Sequence, residues 1–145
     1  MPFIRNLKGI LHISSLKQYR FGFTMKDIYD KNTAISFFKE EVKNFVKGRN
    51  WGKYHTPKNL VQALNCEAGE LSQLFLFKDY SKENIKEDKE LFINISDEIA
   101  DVFIYLISLV NALDLDLTQA FITKMKKNIS KYSTKEFNNG IYYKK

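Results

Sequence analysis

The chain has 145 residues, a formal net charge of +6, six glycines, two prolines and a single cysteine. That is one domain's worth of sequence, enough for a core but short for two, and so few turn-forming residues argue for helices over a many-stranded sandwich. Cys66 has no partner for an internal disulfide, which points to a reducing compartment, and its apolar neighbours suit a small core residue better than a nucleophile.

Residues 1–24 differ from everything that follows. They carry Arg5, Lys8, Lys17 and Arg20 without an acid, and place Ile4, Leu7 and Leu11 near helical spacing. A basic, acid-free stretch with Ser14, Ser15 and Thr24 suits an organelle transit peptide. A start at Met25 or an ordinary extension stays open beside it. Localisation follows that choice: cytoplasmic by default, mitochondrial or otherwise organellar if the segment is a transit peptide. With four positive charges confined there, residues 25–145 hold only +2, too nearly balanced for a nucleic-acid surface.

The domain proper, residues 25–135, reads as four helices ahead of a polar tail over 136–145. The first is expected from about Thr33 to Lys47, with Ile35, Phe38, Val42, Phe45 and Val46 on one face. Thr33 or Asn32 is its expected cap and Gly48 its stop. The loop Arg49 to His55 holds an aromatic content that loops rarely need. Thr56-Pro57 opens the second helix in the favoured order, cap then proline. Its core stripe is Leu60, Leu64, Glu67, Ala68, Leu71, Leu74 and Phe75, with Glu70 on the shoulder.

Asp79 to Asp88 is a charged connector with room for a short helical turn capped by Ser81. The third helix is expected from about Glu90 to Leu113, on a stripe of Leu91, Ile95, Glu98, Val102, Tyr105, Leu106, Leu109 and Leu113. Its longest apolar stretch runs only from Val102 to Val110, far below the ~18 residues of a membrane span. Asp116-Leu117-Thr118-Gln119 has the form of a capping box and starts a fourth helix ending near Tyr132. Phe121, Met125 and Ile129 mark one side of it, and Lys124, Asn128 and Lys131 another. The tail after Ser133 shows no period. Four helices joined by short links indicate an all-α antiparallel bundle.

Two acidic patterns stand out: Glu67-Ala68-Gly69-Glu70 and Glu98-Ile99-Ala100-Asp101. Residues three apart share a helix face, so each aims two carboxylates one way, and Glu67 and Glu98 fall on apolar stripes. A solvated face explains most such pairs. Here it fits poorly, because an ionised, unpartnered carboxylate inside costs several kcal/mol and neither helix offers a facing cation. A divalent cation between the helices resolves this. The acidic patterns contain no His, and the only histidines are His12 and His55, so an all-oxygen set selects Mg²⁺, or Mn²⁺ as a substitute, over zinc or iron. Mg²⁺ commonly completes its shell from substrate phosphates. A nucleotide is then the natural substrate, with a water activated by metal or carboxylate as nucleophile.

Trp51, Phe77 and Tyr105 could form a stacking pocket for a base, although ordinary core packing accounts for them equally well. Lys124, Asn128 and Lys131 present two cations and an amide at i, i+4, i+7, suited either to phosphate or to solvent at a helix end.

The acidic pairs together with Arg49-Asn50-Trp51 through His55, Asn59-Leu60, Phe75-Leu76-Phe77-Lys78, Asp97 through Leu106, and Lys124-Met125 with Asn128 and Tyr132 resemble the MazG-like nucleoside triphosphate pyrophosphohydrolases. Within them the resemblance is to the dCTP pyrophosphatase branch, over residues 33 to 132. It implies Mg²⁺-dependent cleavage between the α and β phosphates, giving a monophosphate and pyrophosphate. By position, it implies that Glu67, Glu70, Glu98 and Asp101 bind the metal and carry catalysis. Trp51, Gly52, Lys53, Tyr54, His55, Phe77 and Tyr105 would line the nucleotide pocket, with Lys124 and Asn128 near the phosphates. It further implies a homodimer or homotetramer. The chain departs from the branch at Val42, where the branch carries a substrate-contacting His, and at Phe77, where it carries Trp. Both changes bear on base preference. A related phosphohydrolase with another polyphosphate substrate, or a non-catalytic helical module, would share the bundle.

Overall fold

The computed structural model describes residues 28–138, 140 and 141; the basic extension over residues 1–24 and the Met25 start lie outside them, as does half of the polar tail. Residues 28–33 belong to a separate unit from the one beginning at Ala34. They form a turn: the Tyr29 amide donates to Asn32 Oδ1 at 3.0 Å and the Thr33 hydroxyl to the Tyr29 carbonyl at 2.9 Å.

That turn moves the first helix. α1 spans Ile35–Gly48, and its N-cap is Ala34, which offers no side-chain bond. Asn32 and Thr33 are the expected caps, but their side chains are spent closing the turn before it. Beyond α1, Asn50 takes the left-handed conformation at φ 54°, which short amide side chains tolerate. The chain then enters a 3₁₀ turn, Trp51–Tyr54.

α2 spans Pro57–Leu74, with Thr56 accepting from the Asn59 amide. The turn after it closes at Phe77, whose φ of 57° is costly for a bulky side chain. The connector folds a short α3, Lys82–Glu87, closed by a reciprocal box between Ser81 and Asn84. α4 is the long helix, Lys89–Ala112, with Asp88 accepting from the Leu91 amide at 2.9 Å. α5, Leu117–Lys131, is capped by Asp116 through the Gln119 amide. The tail is less shapeless than its composition suggests. Glu136 and Phe137 amides both return to the Ser133 carbonyl, and the Tyr132 and Phe137 rings meet edge to face at 5.4 Å.

α2 and α4 form the central pair, with α1 and α3 laid on α4. Among the described residues no strand forms. Among the described residues the buried apolar side chains are Leu60 of α2 and Ile95, Ile107 and Val110 of α4. α1 is tied to the α4 end by polar bonds: Asn111 Nδ2 donates to the Lys39 carbonyl at 2.8 Å, and Lys39 Nζ to the Leu115 carbonyl at 3.0 Å. Phe38 meets Phe103 edge on at 5.3 Å. α5 buries none of its residues. Cys66 is exposed, contrary to the core placement its neighbours suggest, because a residue one position before Glu67 points about 100° away from the buried seam.

Candidate metal and nucleotide site

The α2–α4 seam contains two buried carboxylates. Glu67 is 6% exposed and Glu98 7%, each occupying an apolar stripe position that sequence periodicity already marked. A carboxylate oxygen from each of Glu67, Glu98 and Asp101 can be chosen so that all three lie within 4.8 Å of one another. Asp101 is half-buried, one turn on from Glu98.

Crowding of like charge is written in the titration of Glu67. Its pKa is raised from 4.5 to about 7, first by burial and then by Asp101, Glu70 and Glu98. Glu70 therefore acts on the site electrostatically, yet it is not among the three residues whose oxygens converge. Tyr105 lies one turn beyond Asp101, and its hydroxyl pKa is raised by burial and by Glu67 and Asp101. The donors are carboxylates without sulfur or imidazole, a set that suits a hard divalent cation. Three acids held this close are stable together only when protonated or bridged by positive charge.

The aromatic loop serves a second place. A cleft of about 550 Å³ opens between α1, the 3₁₀ turn and the end of α4. Val42, Gly52, Lys53 and His55 line it together with Val46, Ser108 and Asn111. His55 is half-buried, and burial lowers its pKa. Trp51 packs its ring edge on Phe45 at 5.8 Å, with the Arg49 guanidinium 3.6 Å above the Phe45 ring. Tyr54 is exposed with Lys53 Nζ 4.9 Å from its ring.

Other expected pocket residues are not gathered here. Phe77 is 98% exposed. Lys124 is exposed and Asn128 half-buried on α5, and neither lines the cleft or joins the carboxylates. Sequence reading missed Ser108 and Asn111. The available signal was a hydroxyl interrupting the most apolar stretch of α4, seven residues after Asp101 and hence on the same face.

Comparison with known proteins brings two kinds of relative. The chain is 38% identical over 93 residues to dCTP pyrophosphatase 1 of Mus musculus and 34% identical over 93 residues to that of Homo sapiens. Each alignment covers 61% of this chain and 52% of the relative, so the chain spans about half the length of those proteins. The crystal structure of a pyrophosphatase from Archaeoglobus fulgidus superposes with a TM-score of 0.63 at 32% identity, covering 73% of this chain and 98% of that one. No family model matches the chain.

Proposed function

The chain belongs to the MazG-like nucleotide pyrophosphohydrolases, and on that premise we propose that it is a Mg²⁺-dependent nucleoside triphosphate diphosphatase. It would cleave a (d)NTP to the monophosphate and pyrophosphate, and so remove unwanted nucleotides from the pool. The observation that carries this reading is the convergence of Glu67, Glu98 and Asp101 from two helices within 4.8 Å. Dispersed structural acids would have no reason to meet at a buried seam.

In this reading Glu67, Glu98 and Asp101 hold the cation and Glu70 adds a fourth carboxylate from the same face of α2. A Mg²⁺ held there would supply positive charge to offset the triphosphate oxygens and polarise the phosphorus under attack. Glu67, whose pKa is raised to about 7, would have to give up its proton to serve as a ligand. A carboxylate among the four then accepts the proton of the attacking water. Tyr105, beside Glu67 and Asp101, stands where the sugar would pass. Trp51, Gly52, Lys53, Tyr54, His55 and Phe77 serve the nucleotide, and Lys124 and Asn128 its phosphates.

The α5 placement implies a second copy. Phe121, Ile122, Met125 and Ile129 are exposed on one helix, and a patch of that kind marks an interface. A homodimer or homotetramer would cover it and bring Lys124 and Asn128 to a neighbouring site. Among the described residues no helix is long and apolar enough to cross a membrane. We place the protein in the cytoplasm, or in an organelle if residues 1–24 are a transit peptide, and expect no nucleic-acid partner. The substrate reading is dCTP or a modified pyrimidine nucleotide. Val42 and Phe77 replace an imidazole and an indole, so the contacts that fix the base differ from those of the branch.

Purified protein incubated with Mg²⁺ and a panel of common and modified nucleoside triphosphates should release pyrophosphate from at least one. Release from none of them, or release of orthophosphate alone, would overturn the reading.

A further inference from the structure

The loop that carries the aromatic residues is pinned at both ends. At its far end Asn59 Nδ2 donates to the Tyr54 carbonyl at 3.0 Å, and within it the His55 amide closes the 3₁₀ turn on the Gly52 carbonyl at 3.1 Å. At its near end the fastening is a side chain, Arg49.

Arg49 is the C-cap of α1. Its own amide turns to the Val46 carbonyl at 3.3 Å, which denies the Phe45 carbonyl the amide four residues on. Arg49 Nη1 donates to that carbonyl instead, at 3.1 Å, so an acceptor that a helix end leaves open is satisfied. The bond folds the guanidinium back over its own helix. Its Cζ lies 3.6 Å from the centre of the Phe45 ring and 5.8 Å from that of Trp51, both within cation–π range. Asn50, at φ 54°, reverses the chain, and the Phe45 and Trp51 rings meet edge to face at 5.8 Å. Two rings and one cation thus tie the end of α1 to the start of the 3₁₀ turn.

A plain helix terminus needs only positive charge in its last turn, which Lys47 already supplies. Arg49 adds a planar fork that bonds a carbonyl while its face lies on a ring, a combination an ammonium does not offer.

Resting on the nucleotide reading above, we propose that Arg49 is a positioning residue, which holds Trp51 and the 3₁₀ turn in the arrangement that meets the nucleotide. Gly52, Lys53 and His55, which follow Trp51, line the cleft, and Arg49 does not. Fixing a loop beforehand lowers the cost of ordering it on binding. Loss of Arg49 should therefore weaken nucleotide binding and leave the chemical step alone.

The test uses the full-length protein, whose sole tryptophan is Trp51, and the nucleoside triphosphate that the wild type hydrolyses best. Arg49→Ala and Arg49→Lys should each raise KM by about fivefold, the scale of one exposed cation–π contact, with kcat within about twofold of wild type, the signature of lost uniform binding. Acrylamide quenching of Trp51 emission should rise in both variants. In a Phe45→Leu background the effect of Arg49→Ala on KM should shrink toward one, because the two residues act as a unit. A KM changed less than about twofold in Arg49→Ala overturns the proposal, even if the melting temperature falls, since Arg49 would then be a helix cap alone. Full recovery of KM in Arg49→Lys overturns it too, because charge rather than stacking would be acting, and so does unchanged quenching of Trp51. A wild type that releases no pyrophosphate fails the hydrolase reading and this inference with it, whereas failure of the inference alone leaves wild-type turnover intact.

Discussion

The α2–α4 seam and α5 are built from similarly amphipathic helices and end in opposite states. In the seam, apolar side chains are buried and even two glutamates are carried inside with them. In α5 no residue is buried, and Ile129 is 66% exposed. Helical periodicity says which face wants a partner; it does not say that the partner is in the same chain. Among the described residues the seam finds its partner within the chain, while α5 leaves its apolar face exposed.

The comparison can be broken most forcefully at the acids. Glu67→Gln and Asp101→Asn should each lower pyrophosphate release by about a thousandfold or more, the scale of losing a charge-stabilising group in a reaction centre, while far-ultraviolet circular dichroism stays unchanged. Turnover within tenfold of wild type in either variant would place the metal elsewhere.

Packing gives the next effect. Ile107→Ala, at a fully buried position, should cost about 2–5 kcal/mol in urea unfolding. Ile129→Ala on α5 separates the two regions. In an uncovered α5 it should stay within about 0.5 kcal/mol of wild type. If a second copy covers that face, the loss should exceed this and the melting temperature should depend on protein concentration.

A third effect is in pH. Glu67 has a folded pKa near 7 against 4.5 for the free side chain, so between those values the folded state binds more protons than the unfolded one. Stability of the metal-free protein should therefore fall as pH rises from 5 to 8, by about 1–3 kcal/mol. Glu67→Gln should flatten that slope. Mg²⁺ should oppose it, raising the melting temperature more at pH 8 than at pH 5, and chelation with EDTA should remove the difference.

Gly69 gives the smallest effect. A Cβ added there meets nothing within 4 Å, so Gly69→Ala should stabilise α2 by about 0.5–1 kcal/mol. Destabilisation coupled to dissociation in size-exclusion chromatography would show a neighbouring chain against that turn of α2.

Much of this was legible in the residues themselves. Thr56-Pro57, Ser81 and Asp116 start helices where their capping chemistry says they should, because a cap depends on neighbours three residues away. Glu67 and Glu98 were identifiable because they break a stripe of period 3.6. The cap at Thr33 misled, since its hydroxyl and the Asn32 amide found a tighter local use. Cys66 misled because apolar neighbours in sequence are not neighbours on a helix surface.

Sequence by itself determined the helices, the caps of α2, α3 and α5, and the two acidic faces, all of which follow from short-range periodicity and local hydrogen bonding. Only tertiary structure decided that three acids converge while Glu70 stays outside them, that the aromatic loop folds beside a cleft at the far end of α4, and that α5 leaves its apolar face exposed. Those outcomes depend on how helices cross and where side chains end, and a one-dimensional period carries no information about either.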